Sequence, residues 1–344
     1  MNVFKVINSL KKRKNTSSIL IRPMTFLFNW RLFPAYELIS YILMYSSVPM
    51  LAFGIQSYNV DILKIIFLTV ITLYAGFFAA LIWNDITDAD IDSVAHPDRP
   101  VPSGRIRKKN FFLIALVFSA MVFIFATIIS PICLILVCFA ALFVTFHDKY
   151  LKKWIKIPAY SEIFTPVQWV VVAIFGFFAI WTNIPQSSQI LIQIPIFGDI
   201  SFSIFDFQNM VLLVLFTYFI DNAHDLPEGI HDVDGDRKLG VKTYATSFGE
   251  RNAARISFSQ FVIAGILGIV LFFRTILSPI FLVSFLILWI YMLSWSYRLM
   301  KTDVKKMKEM GTIVGRKGYD FFLMAFNLIF IDILIQLIIH HFFT

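Results

Sequence analysis

The chain has 344 residues, 58% of them apolar, with a formal charge of +8 and a mean hydropathy of +0.75. A soluble core of that length has no use for so much apolar surface, which excludes an ordinary water-soluble protein and makes lipid the solvent for most of the sequence. Nor does the charge require nucleic acid, because Lys and Arg collect in the cytoplasmic loops of membrane proteins, where they also attract anionic headgroups or phosphorylated substrates.

Residues 1–32 form a basic cytoplasmic segment in which Lys11, Lys12, Arg13 and Lys14 precede the polar stretch Asn15 to Ser18. No short apolar run there ends at a small-residue cleavage site, so no signal peptide is read. From 33 to 344 a single transmembrane domain is the simplest division. A helical span needs about 20 mostly apolar residues. Nine stretches supply that length, at 33–55, 62–83, 111–129, 130–147, 160–182, 204–223, 255–273, 277–295 and 320–341. With the N-terminus in the cytoplasm, the cytoplasmic segments are 1–32, 84–110, 148–159, 224–255 and 296–319. They hold 7, 5, 4, 5 and 7 Lys and Arg residues, and only Lys64 and Arg274 fall elsewhere. That alternation predicts an all-α polytopic membrane protein with about nine transmembrane helices and its C-terminus outside.

Three details qualify the outline. The third and fourth spans are separated only by Ser130 and Pro131. Cys133 and Cys138 lie on different faces of the fourth span and imply neither a disulfide nor a metal site. The outer segment 183–203 lacks Lys and Arg and is expected along the membrane interface. The segments after the second and sixth spans are long and acidic and lie four helices apart, which predicts two four-helix halves with equivalent loops and a ninth helix appended.

The first acidic motif, Asn84 to Asp92, leaves the apolar run that ends at Trp83. On a helix Asn84, Asp88 and Asp92 share one face, with Asp85 beside them. Two carboxylates about 6 Å apart repel by roughly 2 to 3 kcal/mol at an effective dielectric near 20. A hard divalent cation neutralises such a ladder, and magnesium typically takes one or two carboxylates together with substrate phosphates. In the second motif Glu228, Asp232 and Asp236 again recur at intervals of four, and Arg237, Lys238 and Lys242 follow. Carboxylates can hold a metal there while the adjacent cations hold phosphate oxygens. The plainer reading is a pair of solvated loops whose acids keep the surface soluble or cap helices; two motifs of one spacing on one membrane side weigh against it. His224 and His231 read as surface residues of the second loop rather than as metal ligands.

The string Asn84-Asp85-x-x-Asp88-x-x-x-Asp92, continuing through Pro97-Asp98-Arg99-Pro100-Val101-Pro102-Ser103-Gly104-Arg105, resembles the signature of the UbiA-type intramembrane prenyltransferases. The stretch Asp232-Val233-Asp234-Gly235-Asp236-Arg237-Lys238-x-Gly240-x-Lys242-Thr243 is similar to that family's second aspartate motif. The resemblance implies two motifs facing each other above a central cavity, a diphosphate bound through Mg2+, and an isoprenoid tail lying in the membrane. It implies Asn84, Asp88, Asp92, Asp232 and Asp236 as the catalytic metal shell, with Asp85 and Glu228 as further metal ligands. Arg99, Arg105, Lys152, Arg237, Lys238 and Lys242 are the implied diphosphate clamp, with Arg22 or Arg31 reaching the same site. The string around Pro227 and Gly229 departs from the common pattern, and His147 stands where a tyrosine is expected.

The implied function is magnesium-dependent transfer of a polyprenyl group from an allylic diphosphate to a hydrophobic or aromatic acceptor, a lipid or quinone precursor, at a site open to the cytoplasm. The charge distribution at the leaving group drives ionisation, and aromatic faces can shield the resulting cation; the chain has 39 Phe, 12 Tyr and 7 Trp, no one of which is singled out by the sequence. An intramembrane terpene cyclase is the related alternative. A transporter of a divalent cation or anionic substrate is the alternative from another class, although transporters place such groups near the bilayer midplane rather than at helix ends.

Overall fold

Backbone polar groups find no water inside a bilayer, so a chain this apolar crosses it as helices that satisfy their own hydrogen bonds. The computed structural model describes residues 33–87, 89, 93, 99–151, 154–184 and 190–343. Its helices are α1 (Ala35–Phe53), α2 (Val60–Thr87), α3 (Lys108–Ile129), α4 (Pro131–Phe146), α5 (Tyr160–Phe164), α6 (Val167–Trp181), α7 (Ile204–Leu239), α8 (Tyr244–Phe248), α9 (Glu250–Arg274), α10 (Pro279–Lys301) and α11 (Val304–Phe343). Counting α5 and α6 as one span, eight are long and apolar enough to cross a membrane; α4, with 16 residues, is apolar but shorter. Every expected span therefore has its helix. The basic segment 1–32 lies outside the described residues.

The break between α3 and α4 follows from two side chains. Ser130 adopts an extended backbone and its oxygen accepts a hydrogen bond from Cys133 N at 3.1 Å, while Pro131 occupies the first helical turn, where its missing N–H costs nothing. The segment between α6 and α7 folds as an antiparallel hairpin of β1 (Ile190–Ile194) and β2 (Gly198–Phe202), pairing Ile190 with Phe202 and Ile194 with Gly198. Phe202 stacks on Trp181 with ring centroids 4.8 Å apart, which fixes the hairpin to the end of α6.

Two helices run well past their apolar windows. α7 has 36 residues and α11 has 40. Apolarity marks what touches lipid, whereas a helix continues wherever packing and caps sustain it. The second motif is accordingly helix, not loop. α7 begins with a capping box of Ser203 and Asp206 and ends at Gly240, whose φ of 72° suits glycine. Pro227 lies inside it and cannot donate to the carbonyl of Ala223 four residues earlier. Ser257 Oγ on α9 donates to that carbonyl instead, at 2.7 Å, so the helix passes the proline with its acceptor satisfied.

The helices close a ring. Each of α1, α2, α3, α4, α6, α7, α9, α10 and α11 packs on the next, and α11 packs back on α1. The ninth span is thus not an appendage to two four-helix halves; it completes the ring and also lies along α7. Glycine allows the close approach: a Cβ at Gly311, Gly315 or Gly318 of α11 would strike the Pro227 carbonyl, the Glu228 side chain or His224 Cβ of α7.

Candidate active site

Cross-contacts fix the directions of the helices and so the end at which both motifs emerge. His224, His231 and Asp234 of α7 meet Tyr319, Thr312 and Lys308 of α11 in reversed order, so these two helices are antiparallel. Tyr36 and Ser40 of α1 meet Asp320 and Asn327 of α11 in the same order, and Phe33 and Tyr45 meet Phe77 and Tyr74 of α2 in reversed order. The C-terminal ends of α2 and α7 therefore lie at one end of the bundle.

At the end of α2, Asn84 is half-buried and Asp85 is fully buried, with its Oδ1 3.9 Å from the guanidinium of Arg99. The chain then turns over 99–105, where Ser103 Oγ donates to the Arg99 carbonyl at 2.5 Å and the exposed Arg105 donates from Nε to Ser103 Oγ at 3.1 Å. Asp88, Asp92, Lys152, Arg22 and Arg31 lie outside the described residues.

On α7 the buried face of the motif is Leu226, Ile230 and Val233, all inaccessible to solvent. Asp232 is exposed and Asp236 half-buried, with Arg237, Lys238 and Lys242 exposed beside them. Arg237 pairs with Glu250 at 3.2 Å, Lys308 with Asp234, and His231 Nδ1 lies 2.9 Å from Thr312 Oγ1. Glu228 packs its side chain against Gly315. His224, expected on a loop surface, is instead a buried helical residue, because the helix carries it one turn back toward the bundle interior.

Three groups at this end escaped the sequence reading. Glu162 of α5 is buried; its backbone carbonyl accepts from Asn222 Nδ2 at 2.5 Å and its carboxylate accepts from the Tyr244 amide at the start of α8. That carboxylate occupies the space a Cβ on Gly229 would need, beside Asp225 and Asp236. Arg316 of α11 donates to Glu37 and Tyr36 and lies 3.5 Å from Asp320. Deeper in the bundle, rings from five helices converge. Tyr41 lies against Phe77 (4.3 Å between centroids) and Trp169 (6.1 Å), Trp169 against Phe322 (5.2 Å), and His224 against Tyr319 (5.2 Å) and Phe322 (5.8 Å). The hydroxyls of Tyr41 and Tyr319 are hydrogen-bonded to each other. Acids and a histidine inside apolar spans were the available signal, since an ionisable group within a membrane helix is a functional candidate by default.

The donors at the two helix ends are amide and carboxylate oxygens, the hard ligands that magnesium prefers. Among the described residues no three Asp, Glu, His or Cys side chains converge at metal-binding distance. The sequence model of the UbiA prenyltransferase family matches residues 45–312. The chain belongs to that family. Within it, this member is 28% identical over 207 residues to the digeranylgeranylglyceryl phosphate synthase of Sulfolobus acidocaldarius, covering 60% of this chain and 62% of the relative. It is 26% identical over 191 residues to the 4-hydroxybenzoate octaprenyltransferase of a Janthinobacterium species, covering 54% and 58%. The chain thus spans less than two thirds of the length of these relatives. The apo structure of a UbiA homolog from Aeropyrum pernix K1 shares the fold with a TM-score of 0.59 at 16% identity, over 85% of this chain and 99% of that one. A UbiA homolog from Archaeoglobus fulgidus solved with DMAPP and Mg2+ gives 0.50 at 15%, over 88% and 97%.

Proposed function

We propose that the chain is a magnesium-dependent intramembrane prenyltransferase that moves a polyprenyl group from an allylic diphosphate to a lipid or quinone-precursor acceptor. The observation that carries this reading is the emergence of both carboxylate-bearing helices, each with cations close by, at one end of a bundle whose interior is lined by aromatic rings. Asn84, Asp85, Asp88, Asp92, Asp232 and Asp236 are the residues to hold magnesium, with Glu228 at the margin, against Gly315. When bound, the metal neutralises diphosphate charge and so favours departure of that group. Arg99, Arg105, Lys152, Arg237, Lys238 and Lys242 hold diphosphate oxygens by charge-assisted hydrogen bonds. As the allylic C–O bond breaks, its electron pair stays with the diphosphate and the allylic carbon becomes a cation. The faces of Tyr41, Phe77, Trp169 and Phe322 are suited to lie against that cation, and an electron-rich atom of the acceptor captures it.

Acceptors differ among the relatives. A product with two geranylgeranyl groups is built on a glyceryl phosphate that already carries one, whereas 4-hydroxybenzoate is an aromatic acid. The basic loops support an N-terminus and active site in the cytoplasm and a C-terminus outside. The test is diphosphate release and prenylated product from geranylgeranyl diphosphate, with and without magnesium, using purified protein in detergent, both acceptors, and Asp232→Ala as control. Magnesium-dependent transfer lost in the variant is expected. Folded protein that ionises no allylic donor, but moves labelled cations across sealed vesicles, overturns the proposal in favour of transport.

A further inference from the structure

Asp221, His224 and Asp225 form an acid–imidazole–acid cluster on α7 that holding a diphosphate does not require. Asp225 and Asp221 precede Asp232 by 7 and 11 residues, which at about 1.5 Å per residue sets them roughly 10 and 16 Å along the helix toward the bundle interior. His224 Nε2 lies 3.0 Å from Asp221 Oδ1, and His224 Nδ1 lies 3.4 Å from Asp225 Oδ1. Asp221 and His224 are 1% and 4% exposed. Asp221 Oδ2 and Asp225 Oδ2 are buried without a hydrogen-bond partner. The imidazole also faces Tyr319 and Phe322, so the cluster borders the converging rings.

With both carboxylates ionised, the cluster carries net negative charge whether the imidazole is neutral or charged. Asp221 and His224 are removed from water and the Asp225 side chain is 20% exposed, and because uncompensated buried charge is costly, taking up one proton relieves the cluster in either state. The 3.4 Å separation between Nδ1 and Asp225 Oδ1 is too long for a good hydrogen bond and can close around a proton. The transfer reaction releases one: as the acceptor oxygen or ring carbon bonds to the allylic carbon, its own hydrogen must leave, and a bundle core offers little water to receive it. Accepting the transferase reading, we propose that this cluster takes the proton lost by the acceptor, with Asp225, the most exposed of the three, as the group that meets the acceptor, His224 sharing the proton through Nδ1, and Asp221 as the residue that positions its ring. The proton passes from the acceptor to the cluster and rests between His224 Nδ1 and Asp225, while the electron pair of the broken C–O bond leaves with the diphosphate. Other titratable groups beside the cluster are Glu162 of α5, Glu228 of α7 and Tyr319 of α11.

The assay separates ionisation from capture. Full-length protein in detergent is given geranylgeranyl diphosphate labelled with 18O at the bridging position, with magnesium. Scrambling of the label into non-bridging positions reports ionisation without an acceptor; prenylation of 4-hydroxybenzoate or of geranylgeranylglyceryl phosphate reports capture. In His224→Gln and Asp221→Asn, kcat for product should fall about 100-fold or more, with scrambling, donor KM and the donor-induced thermal shift held near wild type. Where His224→Gln loses the thermal shift and so its fold, the isosteric Asp221→Asn decides. Product formed at the wild-type rate overturns the proposal, and so does a parallel loss of scrambling and product in a variant that still binds donor. Wild-type protein that never scrambles the label overturns the transferase reading itself.

Discussion

Asp85 at the end of α2 is fully buried, and the guanidinium of Arg99 lies 3.9 Å from its carboxylate. Asp232 on α7 is exposed, on a helix whose opposite face, Leu226, Ile230 and Val233, is closed to solvent. Both carboxylates suit a metal, but they are coupled to the fold in different ways. A buried charge whose partner is removed destabilises the protein, whereas an exposed one can be neutralised without the packing registering it. Under the proposed function, metal binding and stability are therefore joined at the first motif and separate at the second.

The largest expected effect tests that separation. Asp232→Asn should lower magnesium-dependent turnover by about 100- to 1,000-fold, the scale of losing one preorganised electrostatic group, and leave the thermal midpoint in detergent unchanged. Asp85→Asn should match it in turnover but also lower the midpoint, because a buried charge 3.9 Å from the Arg99 guanidinium is removed. Equal midpoints for the two variants would break the comparison.

Next in size are contacts that hold the second motif in place. Ser257→Ala leaves the buried Ala223 carbonyl without a donor, a cost of about 1 to 3 kcal/mol. Pro227→Ala restores an amide hydrogen to that carbonyl, so the double variant should recover much of the loss in an unfolding cycle. Strict additivity would mean that Ser257 does not compensate for the proline. Gly229→Ala forces a methyl onto the Glu162 carboxylate and should cost about 1 to 3 kcal/mol through overpacking. Glu162→Ala with Gly229→Asp returns a carboxylate to the same place from the other helix, and the thermal midpoint should recover relative to Glu162→Ala alone. No recovery would mean that the Tyr244 amide needs its acceptor from α5 itself.

The nine apolar stretches were legible as helices because lipid imposes a length and a composition, and eight of them are long enough to cross while α4, at 16 residues, is shorter. The two motifs were legible because carboxylates repeated every four residues have few uses. Helix ends were not: α7 continues through the charges after residue 223 and α11 begins at Val304, since their support comes from Gly240, Ser257 and the α11 glycines, which hydropathy does not register. Glu162, Arg316 and the ring cluster depend on residues distant in sequence meeting across the bundle. The departure at Pro227 and Gly229 was visible in the sequence. Its meaning, a carbonyl served by α9 and a space filled from α5, is visible only in three dimensions.

The smallest effect sharpens the comparison from the other side. Lys308 of α11 pairs with Asp234, and the two side chains are 41% and 64% exposed. Such a pair loses side-chain entropy in forming and is screened by salt, so its contribution to stability is slight. Lys308→Met should leave the thermal midpoint unchanged at 0.15 M salt and alter it only at low ionic strength. Asp234 would then be an unpaired carboxylate two residues from both Asp232 and Asp236, adding negative charge at the second motif. The readout is the Mn2+ affinity of Lys308→Met against wild type at two ionic strengths: tighter binding in the variant at low salt, converging at high salt. A fall in midpoint at high salt would mean that α7 depends on this ion pair as α2 depends on Arg99, and the contrast between the two ends would not hold.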